Sequence, residues 1–186
     1  MTLKDELTSA CAGLRSLFGA TACSCALATE DGTELEFVAA DGVGAEAIVG
    51  VRLPVSRGIV GFVAVAGQPI AIADVANDQR FARDIAEATD HVPTTIIAAP
   101  LLDDEGETIG VLEVLDPSRA EGESGPDVRG GAAAELAVLS VVATQVAAVI
   151  RLHRRLDELA DGETGAEVRL ARRVLDVVAA YRREEA

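Results

Sequence analysis

Residues 94–116 read TTIIAAPLLDDEGETIGVLEVLD. Two apolar runs rich in β-branched residues flank an acidic break, Asp103-Asp104-Glu105-Gly106-Glu107. That is the pattern of a β-hairpin. A turn centred on Glu105 and Gly106 pairs Leu102 with Ile109 and Ala98 with Glu113. Side chains alternate between the two faces of a strand. Ile96, Ala98, Pro100, Leu102, Ile109, Val111, Glu113 and Leu115 then share one face, and Ile97, Ala99, Leu101, Leu112 and Val114 the other. Both faces are apolar, so both must be covered. The hairpin therefore sits at the centre of a three-layer α/β domain. Glu113 is the exception, a carboxylate on an apolar face.

The chain has 186 residues and a formal net charge of −15. That length suits one domain with extensions. Residues 1–130 carry 8 basic and 22 acidic groups, and residues 131–186 carry 8 and 9. An acidic globular part repels phosphate, so nucleic acid and anionic membranes are poor partners. Lys4 is the single lysine beside fifteen arginines, a usage expected of a GC-rich genome. Cys11, Cys23 and Cys25 form neither a disulfide framework nor a zinc pair; they read as small buried apolar residues. Residues 1–6 lack the apolar core of a signal peptide, and a cytoplasmic location is expected.

Leu3, Leu7, Ala10, Cys11, Leu14, Leu17 and Phe18 recur at helical spacing, with Gly19 as the stop. Residues 21–29 and 34–40 read as strands joined at Asp31-Gly32. Residues 42–47 fit the GxGxxA pattern of a dinucleotide loop. That loop needs a long helix and a parallel strand behind it. Here an extended segment at 49–54 follows within a few residues, so the motif is set aside. Residues 57–67 read as a short apolar helix ended by Gly67, and 70–73 as an extended piece. Asp78 is placed to cap a helix starting near Arg80, with Phe81, Ile85 and Ala86 inward. A polar loop is expected at 117–131, a long helix at 132–160, a break at Gly162 and a second helix at 163–183. Residues 136–150 carry no charge. The run is short of the roughly 20 residues a membrane span needs, and a helix apolar all round is more often buried.

Four stretches together resemble a GAF domain: DGVGAEAIVGVRLPVSRGIVGFVAVAGQPIAIADV from residue 41, NDQRF from 77, HVPTTIIAAPLL from 91 and GVLEVLD from 110. The resemblance covers roughly residues 8–152, with 1–152 as the domain and 153–186 as a helical extension. It implies an antiparallel sheet of about six strands with helices on both faces, plus long C-terminal helices. It also implies a ligand pocket between the sheet and the segment from about 50 to 93. Phe62, Asp74, Phe81, His91, Thr94, Ile96 and Glu113 fall on the elements that would line it. For Glu113 a place near a sheet edge or an arginine partner, and for Asp74 a turn hydrogen bond, are the structural alternatives.

The family includes receptors for cyclic nucleotides, bilins, haem and small metabolites, and domains that serve only as dimerisation spacers. Asn77, Phe81 and Asp84 are loosely similar to a cyclic-nucleotide signature, but Asp78 stands where that signature has a basic residue. Bilin attachment needs a cysteine by the pocket, and all three precede residue 26. His91 is the one candidate axial ligand for haem near the pocket. A branch of the family reduces free methionine sulfoxide, but its chemistry needs a thiolate and a resolving cysteine near the pocket. The expectation is a non-enzymatic, cytoplasmic sensory or regulatory module with no cofactor or metal. It is dimeric, takes an unidentified small molecule and acts on an unidentified output protein. The alternative is a ligand-free dimerisation module. Leu139, Val142, Val146, Val149, His153 and Leu156 recur at spacings of three and four, the seam of a parallel coiled coil. A second stripe, Leu136, Ala143, Ala147 and Ile150, is left for the sheet.

Overall fold

The computed structural model describes residues 2–88, 91–118 and 128–161, together with Arg173. The expected break at Gly162 and the second helix beyond it lie outside these residues. Helix α1 (Leu3–Leu17) is followed by strands β1 (Ala22–Ala28) and β2 (Glu34–Gly42), helix α2 (Ala45–Ile48) and strand β3 (Arg52–Pro54). Helix α3 (Gly58–Ala66), strand β4 (Ile70–Ile72), a 3₁₀ turn (Val75–Asn77) and helix α4 (Arg83–Ala88) come next. Strands β5 (Ile96–Leu102) and β6 (Thr108–Leu115) form the central hairpin, and α5 (Val128–Asp161) closes the described chain. α5 thus begins four residues before the sequence pattern placed it, and it runs through residue 152 without a break.

The six strands make one antiparallel sheet in the order β3-β2-β1-β6-β5-β4. α1 and α5 cover one face, burying Cys11, Leu14, Leu139, Ala143, Ala147 and Ile150 against Cys25, Ile97, Leu101, Leu112 and Val114. α3 covers the other, where Ile59, Val60 and Val63 pack on Ala26, Phe37, Ile96, Ala98 and Val111. Thr2 starts α1 with a reciprocal cap: its hydroxyl accepts from Asp5 N–H at 3.2 Å and its own N–H donates to Asp5 at 2.8 Å. Such caps stabilise a helix by about 1 kcal/mol.

The hairpin register is the expected one at Ala98–Glu113 but not at the turn. Leu101 pairs with Gly110 and Leu102 with Thr108, so a bulge sits between them. A bulge flips the alternation beyond it. Ile109 therefore packs in the helix-side core and not beside Val111. Gly110 has its own reason to be glycine: a Cβ there would lie 2.5 Å from the Ala26 carbonyl oxygen on the neighbouring strand. The GxGxxA stretch forms the four-residue α2, and the strand behind it, β3, is antiparallel. Asp78 does not cap a helix at Arg80. Its carboxylate accepts from the Arg80 N–H and Nε, both at 2.9 Å, and the helix waits until Arg83.

Candidate functional site

The inner face of the sheet and the segment over it enclose a cavity of about 80 Å³. Ser24 (β1), Phe37 (β2), Ile96 (β5) and Glu113 and Leu115 (β6) form its floor. Ile48, Ile59, Val60, Phe81, Ala82, Ile85 and His91 form its roof and rim. Gly61, buried on α3, lets that helix pack close against the 54–55 backbone. A Cβ there would meet the Val55 carbonyl oxygen at 2.6 Å.

Glu113 reaches this cavity by alternation. Its neighbours Leu112 and Val114 are fully buried in the helix-side core, so its own side chain points the opposite way. It lies between Ala98 on β5 and Ser24 on β1, and the Ser24 hydroxyl donates to Glu113 Oε1 at 2.9 Å. Protein encloses the carboxyl, and the accessible surface it keeps opens into the cavity. Burial lifts its pKa to about 7, while the Ser24 hydrogen bond pulls the other way. Both small neighbours matter: Ala98 leaves room beside the carboxyl, and Ser24 supplies the donor.

At the rim, Asp116 has a left-handed backbone, φ 48°. Its Oδ1 accepts from Thr94 N–H (2.7 Å), the Thr94 hydroxyl (2.7 Å) and Thr95 N–H (2.9 Å). His91 Nε2 lies 3.0 Å from its Oδ2. Partial burial pushes the Asp116 pKa up, but the hydrogen bonds from Thr95, Thr94 and His91 outweigh it. The carboxyl stays below its usual range.

Of the sequence candidates, Phe81, His91, Ile96 and Glu113 come together on the cavity. Phe62, Asp74 and Thr94 do not. Phe62 is 40% exposed, with the Arg80 guanidinium 4.2 Å from its ring centre, and lines a separate shallow cleft. Asp74 caps the 3₁₀ turn, accepting from Asn77 N–H at 3.4 Å and Asn77 Nδ2 at 2.7 Å. Thr94 is exposed and serves Asp116. Ser24 and Asp116 were missed by sequence reading. Ser24 is the one polar residue inside the small apolar run ACSCALA, and its pairing with Glu113 needs the β1–β6 register.

The three cysteines are all buried on the far side of the sheet. The contact with Cys11, then burial, drive the Cys23 pKa upward, and burial does the same to Cys25. Neither is a nucleophile in this state. Asn77 is held by Asp74, and Asp84 pairs with Arg57 on the surface. The loose nucleotide signature therefore does not converge on the cavity, and among the described residues no Arg or Lys lines it.

The proposed seam on α5 is corrected by the packing. Leu139, Val146 and Leu156 are buried within the chain, and Val142 packs partly on the same core. His153 Nε2 lies 3.4 Å from Glu6 Oε1 of α1. α5 lies deep enough on the sheet for both stripes to be drawn in. Residues 131–159 are long and apolar enough to cross a membrane by length and composition, but here Leu139, Ala143, Ala147 and Ile150 pack on the sheet.

An antiparallel six-stranded sheet, with the terminal helices on one face and a cavity under a short-helix segment on the other, is the architecture of an α/β regulatory domain. The chain belongs to the GAF domain family, whose model matches residues 2–150. It is 32% identical over 68 residues to a dual 3',5'-cyclic-AMP and -GMP phosphodiesterase 11A of Takifugu rubripes; the match covers 37% of this chain and 8% of that one. Its fold is similar to the GAF domain of a phosphoenolpyruvate-protein phosphotransferase from Coxiella burnetii (TM-score 0.68, 22% identity, 83% of this chain and 85% of that one). It is also similar to a type II free methionine-R-sulfoxide reductase from Thermoplasma acidophilum (TM-score 0.61, 16% identity, 80% and 95%).

Proposed function

We propose that this chain is a regulatory GAF module that binds a small molecule in the cavity under α3. The observation that carries the reading is Glu113, an ionisable group set on the central strand and opening into an otherwise apolar cavity. A few polar groups converging in an apolar cleft are the usual form of a ligand site. The module acts in the cytoplasm without catalysis, cofactor or metal, and passes its state to a separate output protein. Turnover of methionine sulfoxide is disfavoured because the side chain of Cys23, the cysteine whose strand borders the cavity, is packed into the helix-side core. Haem is disfavoured because His91 Nε2 is engaged by Asp116. Native mass spectrometry of the purified full chain tests the reading: a retained compound that Glu113→Leu releases is expected, and a bare polypeptide mass in every preparation counts against it.

The competing reading is a ligand-free dimerisation module, favoured by the small size of the cavity. Dimerisation belongs to both. On α5, Val138, Val141, Leu152 and Leu159 are exposed, at 44–65%. With exposed Gln145, Ala148 and Arg155 between them, they continue the alternating spacing of three and four. This outer stripe, and not the inner one, is the proposed surface for a second copy.

A further inference from the structure

We propose that the cavity is a receptor site for a small monoamine, with the ammonium on Glu113 and Ser24 and a branched or cyclic hydrocarbon body against Phe37, Ile59 and Phe81. The inference rests on the small-molecule reading above and names its ligand class.

Charge decides the class. Among the described residues the cavity wall has no Arg or Lys, so a phosphate or carboxylate would enter without a counter-charge and meet Glu113. The elements around Glu113 supply no cation either. α3 reads GIVGFVAVA and has no charged residue. Glu46 of α2 and Arg83, Asp84 and Glu87 of α4 are exposed. Cys23 lines the cavity only from its strand, for its side chain belongs to the helix-side core. His91 is the other titratable side chain on the wall, and its Nε2 is directed at Asp116. A buried carboxylate without a partner is costly, and a paired one much less so. A ligand cation removes that cost, whereas a neutral or anionic ligand leaves it in place.

Hydrogen-bond capacity and size narrow the class. Ser24 donates to Oε1, and it is the Glu113 partner among the described residues. The second carboxylate oxygen and the lone pairs of the serine remain open to donors. An ammonium brings three donors and no acceptor, which matches an acceptor-only site. A cavity of about 80 Å³ holds roughly half a dozen waters. A ligand of about five to eight non-hydrogen atoms follows, and the apolar wall requires that most of them be carbon.

The test uses the full chain and three probes of one ring: cyclopentylamine, cyclopentanol and cyclopentanecarboxylate, titrated calorimetrically. At pH 8 the amine should bind at least tenfold more tightly than the alcohol, and the carboxylate should not bind. An aliphatic amine stays protonated between pH 6 and pH 8, so Glu113 sets the pH dependence. With its pKa about 7, the ionised fraction, and with it the amine affinity, should fall about tenfold from pH 8 to pH 6. Glu113→Gln should abolish the preference for the amine while folding normally, and Ser24→Ala should weaken amine binding severalfold. Equal binding of the alcohol or carboxylate overturns the inference, as does unchanged amine affinity in Glu113→Gln. Absence of amine binding at millimolar concentration overturns it too. None of these results removes the regulatory reading, which stands or falls on whether the purified protein retains a compound of any class.

Discussion

The hydroxyl of Ser24 donates to Glu113 Oε1 across 2.9 Å, from the strand beside it, and no cationic side chain lines the cavity there among the described residues. One neutral donor does not offset the loss of water around a carboxylate, so the Glu113 pKa rises from 4.5 to about 7. A carboxyl whose folded pKa exceeds its unfolded one contributes stability below the unfolded value and loses it as pH rises through the folded value. The empty protein should therefore lose stability between about pH 5 and pH 8, by roughly 3 kcal/mol from this group at 1.36 kcal/mol per unit. Urea titrations across that range test this. Glu113→Gln and Glu113→Leu should flatten the dependence and melt higher than wild type at pH 8. A lower melting point for Glu113→Leu would mean that the carboxylate has a structural partner.

Asp116 behaves in the opposite sense. Its carboxyl is held below the usual range, so its contribution is present above the unfolded pKa and is lost as pH falls through the folded one. Asp116→Ala removes the acceptor of three bonds from Thr94 and Thr95, and it forces alanine into a left-handed backbone. A loss of about 2–4 kcal/mol is expected. Hydrogen exchange at the Thr94 and Thr95 amides should accelerate far more than exchange in β1. Asp116→Asn, which tolerates that backbone and keeps an acceptor, should recover part of the loss.

Gly61 lets α3 pack close against the 54–55 backbone. Alanine normally favours a helix over glycine by about 1 kcal/mol. Here the added Cβ would lie 2.6 Å from the Val55 carbonyl oxygen, a backbone atom. Gly61→Ala should lower the melting temperature despite the better propensity, and it should weaken any retained ligand by displacing α3. A neutral or stabilising result would show that the 54–55 backbone yields freely.

The central hairpin, the two apolar sheet faces and the place of Glu113 were legible in residues 94–116 because alternation and burial are local facts. Ala98 opposite Glu113 follows from the same count. The Ile109 flip was not legible, because the register shift between Leu101 and Leu102 leaves no mark in the local apolar pattern. Ser24 was hidden for a related reason: the β1–β6 pairing joins residues 89 apart. Phe62 and Asp74 were assigned to the right segment but to the wrong side of it, since short helices and turns lack the periodicity that fixes a facing direction. On α5 the stripe read from the spacing as a seam is largely buried within the chain. A charge-free run carries two stripes of the same spacing, and only the packing shows which one the sheet takes.

The dimer prediction follows from that reassignment. Val138, Val141, Leu152 and Leu159 lie along the outside of α5 and are 44%, 65%, 45% and 44% exposed. Single exposed apolar residues need no explanation, but a row at heptad spacing does. A twofold pairing of α5 helices would cover the row in both chains at once. His153 is then not a contact between copies. It faces Glu6 of its own α1. Light scattering should give about twice the 19.2 kDa chain mass at micromolar concentration. Val141→Asp with Leu152→Asp should give a folded monomer with an unchanged cavity. Val146→Asp should instead unfold the domain, because Val146 is only 7% exposed and packs in the helix-side core. A wild-type mass near that of one chain would remove the dimer. A mass unchanged by the double variant would move the interface off this face of α5.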